Sequence, residues 1–145
     1  MNFELGFKRT NYMTGLTTIQ NLVERGESET VELKKSTGQL KRAGETLCGF
    51  LNGNGGSVIL GVKPDGTIAG QEVRDATLQD IAGMVDKIDP KAPVSQEIVE
   101  FQQDKNVIVL TAPAMAESGP FTFDGRAYQR IGNTTSRMPR SRYET

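Results

Sequence analysis

The sequence predicts an α+β fold, as a single domain in which two or three helices pack on a mixed β-sheet. Three segments show apolar residues at helical spacing, and short runs with strand-like apolar patterns lie between them. The two kinds of segment are interspersed along 145 residues. This order and this length are typical of one compact α+β domain.

The first elements follow from local patterns. A helix is expected over residues 17–26, where apolar side chains recur at near-helical spacing until Gly26, which suits a C-terminal cap. Residues 30–34 alternate between apolar and charged side chains and predict the first strand. A second amphipathic helix is expected over residues 37–51. Residues 1–13 show no clear pattern and are interpreted as an irregular N-terminal extension.

The second half of the chain is predicted in the same way. Residues 57–62 are typical of a buried strand, and the following Lys-Pro-Asp-Gly turn predicts a hairpin that returns over residues 67–70. The remaining expected elements are a helix after Asp75 that stops before Pro90, strands over residues 94–101 and 106–111, and a last strand around residues 127–131.

Composition excludes several kinds of chemistry. The chain has no histidine and a single cysteine, Cys48, which rules out serine–histidine and cysteine–histidine nucleophile systems and the usual zinc sites. A carboxylate-only site for magnesium or manganese remains open. Because no apolar run is long enough to span a membrane, a cytoplasmic protein without a membrane partner is expected.

Glycines cluster after the second predicted helix, where Asn52, Gly55 and Gly56 precede a strand. Phosphate loops have the opposite order, since their backbone N–H groups and the positive end of a following helix face the anion. We therefore interpret these three residues, with Gly61 and Gly66, as structural turns. An ATP-binding unit that uses the Asn52 to Gly56 loop remains an alternative.

Charge is unevenly distributed, although 17 lysines and arginines nearly balance 18 acids over the whole chain. Residues 72–104 are strongly acidic, whereas residues 126–145 contain five arginines and one acid. Residues 137–145 are predicted to be a basic tail that leads to further C-terminal domains. The candidate nucleic-acid contacts are Lys34, Lys35, Lys41, Arg42, Arg126, Tyr128, Arg130 and Arg137, because arginine and lysine pair with phosphate and tyrosine stacks on bases.

Several motifs occur in a fixed order. They are Glu27-Ser-Glu-Thr-Val-Glu32-Leu-Lys34, Phe50-Leu-Asn52, Gly55-Gly56, Ile59-Leu-Gly61-Val62, Gly66, Gly70, Pro120 and Tyr128-Gln-Arg130-Ile-Gly132. In this order they resemble the Schlafen AlbA-type DNA-binding domain family, with the domain placed at residues 14–136. The resemblance implies a non-catalytic nucleic-acid-binding module, in the first place for DNA, of bacterial transcriptional regulators and helicase-like proteins. A homodimer is left open, and no cofactor is expected.

The same resemblance implies an alternative function. Schlafen relatives include metal-dependent ribonucleases, and their acidic residues correspond here to Glu27, Glu32 and, with an offset, Asp65. Residues 27 and 32 differ in parity, so they face opposite sides of a straight strand and meet only if the chain bends at residues 28–30. The three carboxylates are therefore expected to be too scattered to share one magnesium or manganese ion.

Overall fold

The computed structural model describes residues 8–9 and 12–142. Its elements are β1 (Lys8–Arg9), α1 (Tyr12–Arg25), β2 (Val31–Lys34), α2 (Leu40–Leu51), β3 (Gly56–Leu60), α3 (Asp75–Val85), β4 (Ile88–Asp89), β5 (Ser95–Gln102), β6 (Lys105–Ala112), β7 (Thr122–Phe123), β8 (Arg126–Ile131) and β9 (Thr134–Arg137). Short 3-10 turns lie at Thr37–Gln39, Ala116–Ser118 and Arg140–Arg142. The predicted α+β class is confirmed.

Two sheets make up the strand layer. The larger has the order β1-β5-β6-β3-β2 and is mixed, because β1 is parallel to β5 and β2 to β3, whereas the inner pairs are antiparallel. The smaller has the order β4-β7-β8-β9 and is antiparallel throughout. The predicted mixed sheet is thus present, and a second sheet accompanies it.

Both faces of the larger sheet are covered, and successive side chains of a strand point to opposite faces. On β3, Val58 and Leu60 belong to the core cluster that includes side chains of α2 and α3. Ile59 points the other way and joins a second cluster with Ile19 of α1. The helices therefore cover opposite faces of one sheet, with α1 on one face and α2 and α3 on the other.

Helix α2 also contacts the smaller sheet, so that it lies between the two. Gly49 makes this possible, because a Cβ atom at that position would stand 3.1 to 3.3 Å from the backbone of Gln129 and Arg130 on β8. A Cβ atom at Gly44 would stand 2.2 Å from the ring of Phe123. Two glycines inside the helix thus allow β7 and β8 to approach its backbone, and this close packing positions the site described below.

The structure differs from the sequence prediction at the expected hairpin. Residues 67–70 do not form a strand. Gly61, at φ +107°, ends the run of β3, and its carbonyl accepts the N–H groups of Ala69 and Gly70. Only an isolated bridge joins Val62 to Ile68, while β3 pairs with β2 and β6. The positive φ of Gly61 turns the chain at the end of β3, so residues 67–70 do not pair with β3 as a strand.

The chain termini also differ from expectation. Within the predicted irregular extension, residues 8–9 form a strand and α1 begins at Tyr12, while residues 1–7 and 10–11 lie outside the described part. At the other end, Arg137 closes β9 instead of starting a tail, and residues 143–145 are not described. No helix of the described residues has the length and apolar character needed to cross a bilayer.

Candidate nucleic-acid interface

Arg130 lies inside the protein, with only 2% of its side chain exposed. Nη1 donates to Glu32 Oε1 at 2.6 Å and to the Thr135 hydroxyl at 3.0 Å. Nη2 donates to the backbone carbonyls of Ser28 at 2.7 Å and Val31 at 3.0 Å. The guanidinium also stands over a phenylalanine ring of α2, 5.3 Å from the ring centre. We call these contacts the Arg130 clamp, since they tie β8 to β2.

The clamp explains why Arg130 is an unsuitable phosphate contact. Residues 126, 128 and 130 share a face of β8 by parity, as the sequence predicts, but α2 covers that face except at its start. Tyr128 is likewise buried, and its hydroxyl donates to Glu45 at 3.2 Å. Burial and the nearby Glu45 carboxylate raise the pKa of this tyrosine. The guanidinium of Arg130 and the hydroxyl of Tyr128 are thus already engaged by acidic side chains of the protein.

The side chains of Glu27 and Glu32 come together, although the two residues differ in parity. Ser28 N–H donates to the carbonyl of Val31, which bends the chain before β2. Glu27 then reaches back along the strand and accepts the N–H of Leu33 at 3.1 Å. A side-chain contact with Glu32 links the pKa values of the two carboxyl groups. The sequence indicated that residues 27 and 32 could meet only if the chain bends at residues 28–30, and the structure has this bend.

The pKa values of this pair shift in opposite directions. Burial and the neighbouring Glu32 raise the pKa of Glu27. Burial alone would also raise the pKa of Glu32, but its contacts with Glu27, Arg130 and Lys34 outweigh burial and lower it. Glu32 is therefore the charged member and Glu27 the first to take up a proton.

The third proposed metal ligand belongs to a different local structure. Asp65 is exposed in the turn after β3, where its carboxylate accepts the N–H of Thr67 at 2.9 Å, and this hydrogen bond lowers its pKa. Among the described residues no three acidic or cysteine side chains group closely enough to hold a metal ion. The convergence of Glu27 and Glu32 therefore stops at two carboxylates, one of which is already neutralised by Arg130.

The loop after α2 is occupied by internal contacts. The buried Asn52 amide donates to the carbonyls of Phe121 and Tyr128, each at 2.9 Å, and its oxygen accepts the N–H of Phe121 at 2.7 Å. Gly55 adopts φ +77°, and a Cβ atom there would lie 2.9 Å from backbone atoms of Ala112 and Ala114. The helix stop is thus left-handed at Gly55, while Asn52 itself has φ −81°. The loop packs against the protein rather than around an open phosphate site.

The other predicted cations of the described chain lie at the protein surface. Lys35, Lys41, Arg42, Arg126 and Arg137 are all exposed. No ion pair within residues 8–9 and 12–142 engages any of these five. Lys41 and Arg42 stand in the first turn of α2, which contains no acid. Cations are unfavourable beside the positive end of a helix dipole, so this arrangement concentrates positive potential locally.

A polar cleft opens beside these cations between β2, α2 and the β8–β9 turn. We call it the β2–α2 cleft; its volume is about 280 Å³. Its lining residues are Glu32, Lys34, Arg42, Glu45, Thr46, Asn133, Thr134 and Thr135. The hydroxyls of Thr46 and Thr135 are 2.9 Å apart. Sequence reasoning missed the residues of the β8–β9 turn, although Gly132-Asn133 is a two-residue hairpin signal that could have indicated them.

A second cleft lies on the other side of Glu45. It has a volume of about 210 Å³ and includes Lys41, Arg126 and Tyr128 in its lining. The surface thus carries one pair of cations on each side of Glu45, Lys34 with Arg42 and Lys41 with Arg126. A cleft of opposite character, lined by Glu72, Glu100 and Asp104 among others, lies in the acidic part of the chain.

The family model described as Schlafen, AlbA_2 matches residues 27–139, most of the chain. The chain belongs to this family. The match begins at Glu27 and includes both ends of the Arg130 clamp. Within this Schlafen, AlbA_2 domain, the acidic motif and the tyrosine–arginine motif are therefore in direct contact. No curated protein is significantly similar in sequence.

Two solved structures share the fold of this Schlafen, AlbA_2 domain. One is the DIP2311 protein from Corynebacterium diphtheriae, with a TM-score of 0.59 and 17% identity over 90% of this chain and 27% of that one. The other is the N-terminal domain of a RecG-related protein from Nitrosomonas europaea, with a TM-score of 0.55 and 21% identity over 83% of this chain and 93% of that one. The chain thus spans about a quarter of the corynebacterial protein and nearly all of the second domain.

Proposed function

We propose that this chain is a non-catalytic nucleic-acid-binding domain that contacts the backbone of DNA and serves a transcriptional regulator. Membership of the Schlafen, AlbA_2 family supports a nucleic-acid-related function. The shared fold with a domain from a RecG-related protein, described as an ATP-dependent DNA helicase, is consistent with it. The proposal requires no metal ion or nucleotide.

One observation carries this proposal. Exposed lysines and arginines from separate parts of the chain, Lys41 and Arg42 of α2 and Arg126 of β8 among them, gather around the positive end of α2. They line two clefts whose walls are mainly polar, although Phe123 and Tyr128 also line the second. Because the chain as a whole is nearly neutral, such a grouping provides a local rather than a global attraction for phosphate.

The contacts expected on this surface are phosphate contacts. Tyr128 lines the second cleft but is only 9% exposed and donates its hydroxyl to Glu45, so we do not propose it as a stacking surface for a base. Backbone contacts position a protein on DNA without reading sequence. Binding should therefore tolerate changes of sequence and should weaken with salt, because each neutralised phosphate releases counterions.

The test is a fluorescence-anisotropy titration of a labelled DNA duplex at several salt concentrations. If three to four cations engage phosphates, log affinity should fall against log salt with a slope of roughly −3 to −4. The variant Lys41→Gln/Arg126→Gln should weaken binding and reduce that slope by roughly two. Lys91→Gln is the matched control, because Lys91 is 92% exposed but pairs with Asp86 in the acidic part of the chain.

The outcomes separate this proposal from its rivals. Equal losses in the double variant and in Lys91→Gln, or no binding by the wild type, would remove this surface as the interface. Parallel arms with RNA and single-stranded DNA test the preference for duplex DNA. Cleavage that requires manganese would favour the nuclease, and saturable ATP binding would favour the nucleotide alternative. Light scattering of free and bound protein tests the predicted option of a homodimer.

A further inference from the structure

We infer that the β2–α2 cleft is a subsite for a single backbone phosphate, in which the incoming phosphate replaces Glu32 as the partner of Lys34. This inference rests on the proposed function. It concerns one of the two clefts of the proposed surface and the ion pair that changes there on binding. Glu32 then competes with the phosphate for Lys34.

The position of Glu32 allows its ion pair with Lys34 to break at a small cost in free energy. Its Oε1 atom accepts Arg130 Nη1 at 2.6 Å, whereas its Oε2 atom stands 3.6 Å from Lys34 Nζ. The second contact is an ion pair longer than a hydrogen bond. Since Arg130 remains in place when Lys34 leaves, the carboxylate keeps a cationic partner and does not become an unpaired buried charge.

Lys34 itself is held at the boundary between interior and cleft. Its side chain is 13% exposed, and that of Glu32 is 11% exposed. An ion pair with so little water around it is screened less than one on the open surface. The ammonium therefore lies beside Glu32 at the wall that the ligand would contact.

The lining selects a phosphate with its sugar rather than a base. Thr46, Thr134 and Thr135 supply hydroxyls, Asn133 supplies an amide, and Arg42 supplies a second cation. None of the described residues that line the cleft is aromatic or aliphatic, so they offer a base no surface on which to stack. The carboxylates of Glu32 and Glu45 balance Lys34 and Arg42 in formal charge, and an incoming phosphate would draw the two cations to itself.

The hydroxyls are oriented from inside the protein. Arg130 Nη1 donates to Thr135 at 3.0 Å, and Thr135 and Thr46 share a hydrogen bond of 2.9 Å. A chain of hydrogen bonds that starts at a cation polarises the groups along it. The same guanidinium thus holds Glu32 on one side and the wall of the cleft on the other.

The experiment compares neighbouring residues of equal charge on a labelled DNA duplex. Lys34→Gln should weaken binding about three- to tenfold and reduce the salt slope by about 0.9. Lys35→Gln is the control, since Lys35 is exposed but does not line the cleft. Its effect should be smaller on both measures. Arg42→Gln should reproduce the effect of Lys34→Gln.

The competing role of Glu32 gives an effect of opposite sign. Glu32→Gln keeps an acceptor for Arg130 but loses the charge that holds Lys34, so affinity should rise severalfold. Glu24→Gln, an exposed acid of α1, is the control for the change of net charge. In the Lys34→Gln background the gain from Glu32→Gln should disappear, because no ion pair remains to be released.

Two kinds of failure are distinguishable. A wild type that does not bind duplex DNA contradicts the proposed function itself. A wild type that binds, with equal losses in Lys34→Gln and Lys35→Gln, leaves the proposed function standing and overturns the phosphate subsite. If Glu32→Gln still raises affinity in the Lys34→Gln background, phosphate does not replace Glu32 as the partner of Lys34. Melting temperatures confirm that each variant is folded, and Arg42→Gln decides the subsite if Glu32→Gln does not fold.

Discussion

Replacement of Arg130 by methionine tests the Arg130 clamp directly. Methionine is similar in length but provides none of the N–H groups that contact Glu32, Thr135 and the carbonyls of β2 and its preceding turn. The change leaves Glu32 without its closest cation and leaves the carbonyls of Ser28 and Val31 without that donor. We expect a loss of about 3–5 kcal/mol in the free energy of unfolding, as when one partner of a buried ion pair is removed.

The assay is urea denaturation followed by circular dichroism, with thermal melting as a second measure. Arg126→Met is the matched control, because Arg126 lies on the same strand and has the same parity but is exposed. Its unfolding free energy should change by less than about 0.5 kcal/mol. In a double-mutant cycle, Glu32→Gln should destabilise the Arg130→Met variant less than the wild type, since the unpaired charge has gone.

The sequence alone favoured a different outcome, in which Arg130 contacts a phosphate. That interpretation predicts nearly unchanged stability and a salt slope reduced by about one for the variant. A variant within about 1 kcal/mol of the wild type would therefore refute the clamp, since interior ion pairs do not release a partner at so small a cost.

Three further predictions concern the acidic pair and the loop after α2. Glu27→Gln should raise stability at neutral pH by relieving repulsion from Glu32. Because the pKa of Glu27 is raised in the fold, the gain should shrink as pH falls through that raised pKa towards the ordinary value of 4.5, and it should be absent below 4.5. A metal-dependent site would instead lose stability in this variant when manganese is present. For Glu32 the pKa is lowered, so the stabilisation it provides should be present above pH 4.5 and be lost as pH falls, which a comparison of wild type with Glu32→Gln by urea denaturation at pH 3 to 7 would measure. Asn52→Ala should cost about 2–4 kcal/mol because three buried backbone groups lose their partner, and Gly55→Ala should cost about 1 kcal/mol or more through its positive φ. Unchanged melting of either loop variant with loss of ATP binding would support the nucleotide alternative.

Much of the fold could be predicted from local patterns. The alternation in β2, the continuous apolar run of β3 and the helical spacing in α2 each reflect a burial requirement that the sequence carries by itself. The smaller sheet was harder to predict, since β4 and β7 have two residues each and β9 is polar. Strands this short form because of the residues that pack on them, and they are too short to show an alternating apolar pattern in the sequence.

The candidate site shows the limit of parity arguments. Parity correctly groups residues 126, 128 and 130 on one face of β8, but it does not say what covers the face. The signal was in α2, where Gly44 and Gly49 remove the side chains that would have kept β7 and β8 at a distance. Parity does not apply to Glu27, because the bend before β2, which the sequence left open, directs its side chain to Leu33 N–H.

The contacts of Glu32 connect the scaffold to the proposed binding surface. One oxygen accepts Arg130, which fastens β8 to β2, and the other faces Lys34 in the β2–α2 cleft. If Arg130 were lost, Glu32 would have only Lys34 to neutralise it and would hold that lysine more firmly. Phosphate would then compete with a stronger internal partner. Arg130 can therefore support nucleic-acid binding from inside the protein without touching the ligand, because it occupies the carboxylate that would otherwise retain Lys34.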